Sequence, residues 1–226
     1  RSLRGRSKCN DCGTTLKCRD LVPILSFFCL GQKCRNCKKE ISLLHPFLEC
    51  ITGLLFVFGA YMGMDEGGAH APAFVIRDWY IVFMLAFIFI YDVLFMEVEN
   101  RLVVPAIATI FLVSGVFHWQ TWTSMALGAL VGGGFFLIQY VVSRGKWVGA
   151  GDIFVGLFMG VVLGIPLAIV GLFISYIIGA VVSLLFLILK KNKPGDKVPM
   201  GVYLSLGTFL AMFWGEGLFS WYMSLI

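Results

Sequence analysis

The chain has 226 residues, 59% of them hydrophobic and only 14% charged, and its mean hydropathy is strongly positive. So much apolar surface exceeds what a soluble core of this length needs, which excludes an ordinary soluble domain and points to a chain solvated by lipid. The formal charge of +5 requires no nucleic-acid partner. It acts instead as a topology signal and an attraction to anionic lipid headgroups.

Residues 1–41 differ from the rest in being polar, basic and rich in cysteine. The opening RSLRGRSKC has no signal-peptide pattern, and it is equally consistent with a preceding helix outside this numbering. Two Cys-x-x-Cys knuckles follow, CNDC at 9–12 and CRNC at 34–37, with 21 residues between them. Two intervening residues let both sulfurs of a pair turn to one point, and two such pairs supply a tetrahedron of thiolates. Stable disulfides do not suit a reducing compartment, so the alternative to a metal is four free or redox-active thiols. A module too small for its own core gains missing folding energy from a metal ion. Cys9, Cys12, Cys34 and Cys37 are therefore expected to hold a structural zinc, and Cys18, Cys29 and Cys50 to be ordinary thiols.

Residues 42–226 read as one membrane domain with short loops. Apolar windows of ~17–25 residues are long enough to cross ~30 Å of hydrocarbon. Seven candidates occur, at 42–64, 79–95, 102–119, 124–143, 152–164, 166–190 and 200–225, the fifth of them short. Backbone amides cannot go unpaired in lipid, so each should be a helix. The expected fold class is all-α: a polytopic membrane helix bundle of seven spans behind a small N-terminal cytoplasmic zinc-binding module. The longest loop, MDEGGAHAPAFVIRD, reads as an irregular connection. Glycines within spans, as in GALVGGG at 128–134, read as packing devices.

Charge placement orients the bundle. Ten of the 18 Lys and Arg residues lie in positions 1–40, and seven more in the loops at 96–101, 144–151 and 190–199. Arg77 alone falls on the opposite parity. Cytoplasmic loops carry the Lys/Arg excess. The N-terminus and those three loops are thus expected inside, with residues 65–78 and the C-terminus outside.

Four acids lie in or beside spans: Glu49, Asp92, Asp152 and Glu216. An ionisable group at the bilayer centre costs ~2.5–3.5 kcal/mol, so each is a functional candidate. Asp92, in FIYDVLFMEVENR, and Asp152, directly after VGAG, fall at the same cytoplasmic face. Glu216 falls toward the outer side and reads as a packing or interfacial residue. Two carboxyls close together in a low dielectric share a proton, so one can act as base on water while the other donates to a carbonyl. Gly149 and Gly151 permit unusual backbone angles and close approach of another chain. The competing reading for Asp152 is a helix cap, where a carboxylate is favoured anyway.

In this order the segments resemble the bacterial prepilin peptidases, or type IV leader peptidases, along nearly the whole chain. The stretch from RSKCNDCG to ECITGLL, with DLVPILSF and HPFLE inside it, is similar to that family's zinc-bearing cytoplasmic segment. YDVLFMEVENRL resembles the first aspartate motif and GAGD the second, while KVPMGVYLSLG at 197–207 resembles the approach to the final helix. Where the family has a Pro-Asp pair this chain has Glu99-Asn100, which keeps Glu97 and Glu99 as stand-in candidates. The family's usual extra helix before the zinc module is expected to lie outside this sequence or to be lacking in a shorter member.

The resemblance implies a membrane aspartic endopeptidase of the bacterial inner membrane. Asp92 and Asp152 would be catalytic, with Gly149, Gly151, Glu49, Glu97 and Glu99 shaping the site. The substrate would be a prepilin or pseudopilin, losing its basic leader at the cytoplasmic membrane face. Zinc-bearing members generally also methylate the new N-terminus with S-adenosylmethionine, an expectation that rests on resemblance alone. Two rivals stand beside it. An ion-coupled transporter would use Glu49, Asp92 and Asp152 as relays, yet transport favours acids near the midplane. A non-catalytic assembly scaffold would dock a partner on the zinc module, and it has no need of two membrane aspartates.

Overall fold

The computed structural model describes residues 7–9, 11–67, 71–189 and 198–225. Among the described residues the regular structure is helical, apart from two isolated antiparallel bridges, Lys8 with Thr15 and Lys33 with Glu40. The chain divides into two compact units, residues 1–61 and 62–226.

In the first unit each bridge closes one knuckle. The Cys9 amide donates to the Thr14 carbonyl and the Gly13 amide to that of Cys9. In the second knuckle the Cys34 amide donates to Lys39 and the Lys38 amide to Cys34. Each turn needs a left-handed residue, Gly13 at φ 69° and Lys38 at φ 60°, which glycine adopts freely and lysine only under strain. Between the knuckles lie a 3-10 turn, Cys18–Asp20, and a short helix α1, Leu25–Cys29. Side chains join the two hairpins: Asn36 Nδ2 donates to the Thr14 hydroxyl at 2.8 Å, and Lys39 pairs with Asp11. Arg35 grips Asp20 at 2.8 Å and holds its carboxyl below the usual carboxylate range. A depressed value means that this contribution to stability is complete above the ordinary pKa and is lost as pH falls through the folded-state one. Helix α2, Leu44–Gly67, begins in this unit.

The second unit contains α3 (Ala71–Phe95), α4 (Asn100–Val116), α5 (Trp122–Ser143), α6 (Ala150–Leu163), α7 (Leu167–Ile188) and α8 (Met200–Met223). With α2 these correspond to the seven expected spans. Five of the seven, α2, α3, α5, α7 and α8, are long and apolar enough to cross a membrane by themselves. The other two, α4 and α6, have only 17 and 14 residues. The protein is a multi-pass membrane helix bundle.

One connection differs from expectation. The irregular loop over 64–78 is largely helix, since α2 continues to Gly67 and α3 resumes at Ala71. Pro72 sits in the first turn of α3, where a missing amide proton costs nothing. Arg77 and Asp78 are consequently helical rather than in a loop. Arg77 pairs with Asp78 at 2.8 Å and lies over the Phe74 ring at 4.7 Å, so the buried Asp78 keeps a counter-charge. The expected cytoplasmic loop at 190–199 falls mostly outside the described residues.

Helix α6 is the hub. Apolar on all sides, it packs on α4, α5, α7 and α8. Its tightest partner is α5, and the seam between them is backbone on backbone. A β-carbon on Gly156 would lie 2.6 Å from the Gly132 carbonyl oxygen, and one on Gly160 would overlap the Gly128 carbonyl. Small residues four apart let membrane helices close to this distance. Gly134, in the same glycine-rich run, faces open space.

Candidate active site and metal centre

The four knuckle cysteines converge. Their sulfurs all lie within 4.8 Å of one another, with Cys9 and Cys37 3.9 Å apart. Zn–S bonds of ~2.3 Å in a tetrahedron put sulfurs ~3.8 Å apart, so the set fits a metal ion with little adjustment. The Thr14 hydroxyl, 3.3 Å from Cys12 Sγ, lowers that thiol to about 6, with help from the Thr14 amide. Backbone amides of Cys37 and Asn36 lower Cys34 as well. Both effects favour the thiolate that a metal requires, whereas Cys37, despite the Lys39 amide and crowded by burial and by the other three thiols, is pushed up to about 11 without a metal. These four residues can hold a metal ion, whereas Cys18, Cys29 and Cys50 are exposed and outside the cluster. Glu49 belongs to the same unit. It accepts the Ile24 amide at 2.8 Å and so braces a residue at φ 62°.

In the second unit, connections on alternate sides bring five segments to one end of the bundle. These are the C-terminus of α3, the N-termini of α4, α6 and α8, and the α5–α6 loop. They enclose a pocket of about 540 Å³ whose walls include both Asp92 and Asp152. Each carboxyl is nearly closed off, Asp92 at 4% exposure and Asp152 at 9%. The two lie within electrostatic reach of each other.

Each carboxylate is held by a helix start. Helix α8 begins after Pro199, which offers no side-chain acceptor for the unpaired amides of the first turn. Asp92 fills that role from α3: its Oδ2 accepts the Val202 amide at 3.1 Å. The positive end of the α8 dipole favours an anion there. A β-carbon on Gly201 would lie 2.9 Å from Asp92 Oδ2, so glycine is what lets the carboxylate approach. Asp152 sits in the first turn of its own helix and accepts the Gly149 amide at 2.8 Å. It is therefore a cap by geometry, and it also lines the pocket.

The remaining candidates separate. Gly151 packs against the α3–α4 loop, where an added β-carbon would come within 2.7 Å of Val98 Cβ. Gly149 has φ −77° and ψ 156°, angles open to any residue, and a β-carbon there would meet nothing closer than Asp152 Oδ2 at 3.5 Å. Glu97 is exposed on the pocket rim. Glu99 is instead the N-cap of α4, accepting the Arg101 amide at 3.4 Å. Sequence reasoning missed Gly201 and the α8 amides. The only local signal was a Pro-x-Gly at a helix start.

A hydrophobic helix bundle with two shielded carboxylates on one pocket can do acid–base chemistry, and comparison with known proteins gives the class. Residues 2–62 match the bacterial peptidase A24 N-terminal domain, and residues 79–184 match the type IV leader peptidase family. A prepilin leader peptidase/N-methyltransferase of Bacillus subtilis (strain 168) is 29% identical over 224 residues, covering 97% of this chain and 86% of the relative. Proteins of the same name from Aeromonas salmonicida (strain A449) and Pseudomonas putida are 26% and 24% identical, covering 98% and 97% of this chain and 75% and 76% of theirs. No solved structure matches the chain. The chain belongs to the type IV leader peptidase family and is an enzyme of that family.

Proposed function

We propose that this protein is an aspartic endopeptidase that removes the basic leader from a prepilin or pseudopilin at the cytoplasmic face of the bacterial inner membrane. The observation that carries the reading is the pair of buried carboxylates, Asp92 and Asp152, donated by separate helices to one pocket. The ionised carboxylate takes a proton from water as the water oxygen bonds to the scissile carbonyl carbon. The protonated carboxyl gives its proton to the carbonyl oxygen. Collapse of the tetrahedral intermediate breaks the C–N bond: the amine leaves with a proton from the first carboxyl, and one hydroxyl of the intermediate returns its proton to the second as the C=O bond re-forms. The relatives' name extends the proposal to methylation of the newly freed amine, with S-adenosylmethionine as donor.

The test is mass spectrometry of a pilin-like precursor from cells with and without this protein. Expected with the protein are loss of the leader and one added methyl group on the new N-terminus. A precursor processed equally in both backgrounds refutes the reading. Gly201→Ala gives a sharper check. The new methyl displaces Asp92 Oδ2, and cleavage is expected to fall about 10²-fold, the scale of a ~1 Å misplacement. Unfolding temperature should change little.

The knuckles, in this proposal, hold a structural zinc. One zinc per chain is expected, with Zn–S distances of ~2.3 Å by X-ray absorption. Cys9→Ser or Cys37→Ser should lower zinc content and expose residues 1–41 to protease. Wild-type protein that is fully folded and free of metal refutes the assignment.

A further inference from the structure

Asn100 is the first residue of α4 and lines the pocket with Asp92 and Asp152. Its Oδ1 is shut off from solvent and has no hydrogen-bond donor, the one such side-chain atom among the described residues. A buried acceptor without a donor costs the full desolvation of that group, and folded proteins rarely keep one. Helix capping does not account for it, because Glu99 already caps α4 by accepting the Arg101 amide. Nor does Asp92 meet the need, since no hydrogen bond joins it to Asn100 Oδ1 and its Oδ2 is itself an acceptor, of the Val202 amide.

We infer that Asn100 is a substrate-binding residue whose Oδ1 accepts a hydrogen bond from a backbone N–H of the precursor beside the scissile bond. The inference rests on the peptidase reading. A peptide entering this pocket in extended form presents one N–H and one C=O per residue. The two aspartates serve the carbonyl side, and Asn100 Oδ1 is the buried side-chain acceptor on the pocket that no donor meets. The terminal torsion of an asparagine is soft, so a small rotation of the amide brings Oδ1 to the pocket. Substrate then replaces an unpaired acceptor by a paired one.

The test uses full-length protein in detergent and a synthetic prepilin peptide covering the leader and the start of the hydrophobic segment. The peptide carries backbone N-methyl groups one position at a time near the cleavage site. At one position N-methylation should lower wild-type kcat/KM about tenfold, the worth of one good hydrogen bond. The same change should have no further effect on Asn100→Ala. Asn100→Leu should raise KM by a similar factor with kcat nearly unchanged, while its Tm stays at or above wild type because an unpaired polar atom has been removed. Asn100→Asp keeps the acceptor and should keep the wild-type KM. A merely structural Asn100 would lose Tm together with activity, and every N-methyl effect would persist in the variants; either result overturns the inference. Failure of the wild-type protein to cleave any such peptide would overturn the peptidase reading, and this inference with it.

Discussion

Asp92→Asn and Asp152→Asn are each expected to reduce leader cleavage by ~10²–10⁴-fold while leaving Tm and zinc content near wild type. The separation of effects follows from what each side chain does in the fold. Asp92 accepts the Val202 amide at the start of α8, and Asp152 accepts the Gly149 amide at the start of α6. Asparagine is about as good an acceptor at a helix start, so both helix ends stay capped. An amide can neither take a proton from water nor donate a carboxylic proton, so the chemistry stops. Cleavage assays on the two variants, run beside thermal unfolding and metal analysis, check all three quantities. An Asp152→Asn protein that cleaves normally would make Asp152 a cap and nothing more. Normal cleavage by both single variants would remove the aspartic mechanism.

The second large effect is expected from the α5–α6 seam. Gly160→Val places its new atoms on the Gly128 carbonyl, and what they meet is backbone rather than the end of a movable side chain. Overpacking typically costs ~1–3 kcal/mol when neighbours can shift, and this seam offers nothing that shifts cheaply. We expect a Tm lowered by several degrees or failure to accumulate in the membrane, with loss of cleavage because α6 carries Asp152. Gly134→Val is the control. A β-carbon at Gly134 meets no atom within 4 Å, so stability and activity should stay near wild type. Equal Tm values for the two variants would dismiss the seam as a determinant of the site.

What the sequence made legible was whatever is written locally. Seven apolar windows, two knuckles and an aspartate at a helix start can each be read within a few residues. The partner of Asp92 could not be read this way, because Val202 is 110 positions further along the chain. The glycine run at 128–134 announced packing but not which glycines face α6, since that depends on the register between two helices. Glu99 and Glu97 were indistinguishable as stand-in acids. A cap geometry separates them: Glu99 is turned to the Arg101 amide, and Glu97 stays on the rim. Glu49 reads as an acid within a span and stands in one, α2; its bond to the Ile24 amide is a contact that nothing around either residue in sequence signals.

The length of α6 has a consequence for where hydrolysis gets its water. Fourteen residues make a helix about 21 Å long, against ~30 Å of hydrocarbon. Helices α4, α5, α7 and α8 pack around it, and the pocket lies at its Asp152 end, lined there by residues of α3, α4, α8 and the adjoining loops. With the Asp152 end at the membrane face, as proposed above, a hub this short leaves room for a protein-lined well at that end. In the proposed function, such a well would let bulk water reach a bond near the headgroup boundary from one side without crossing any acyl chain.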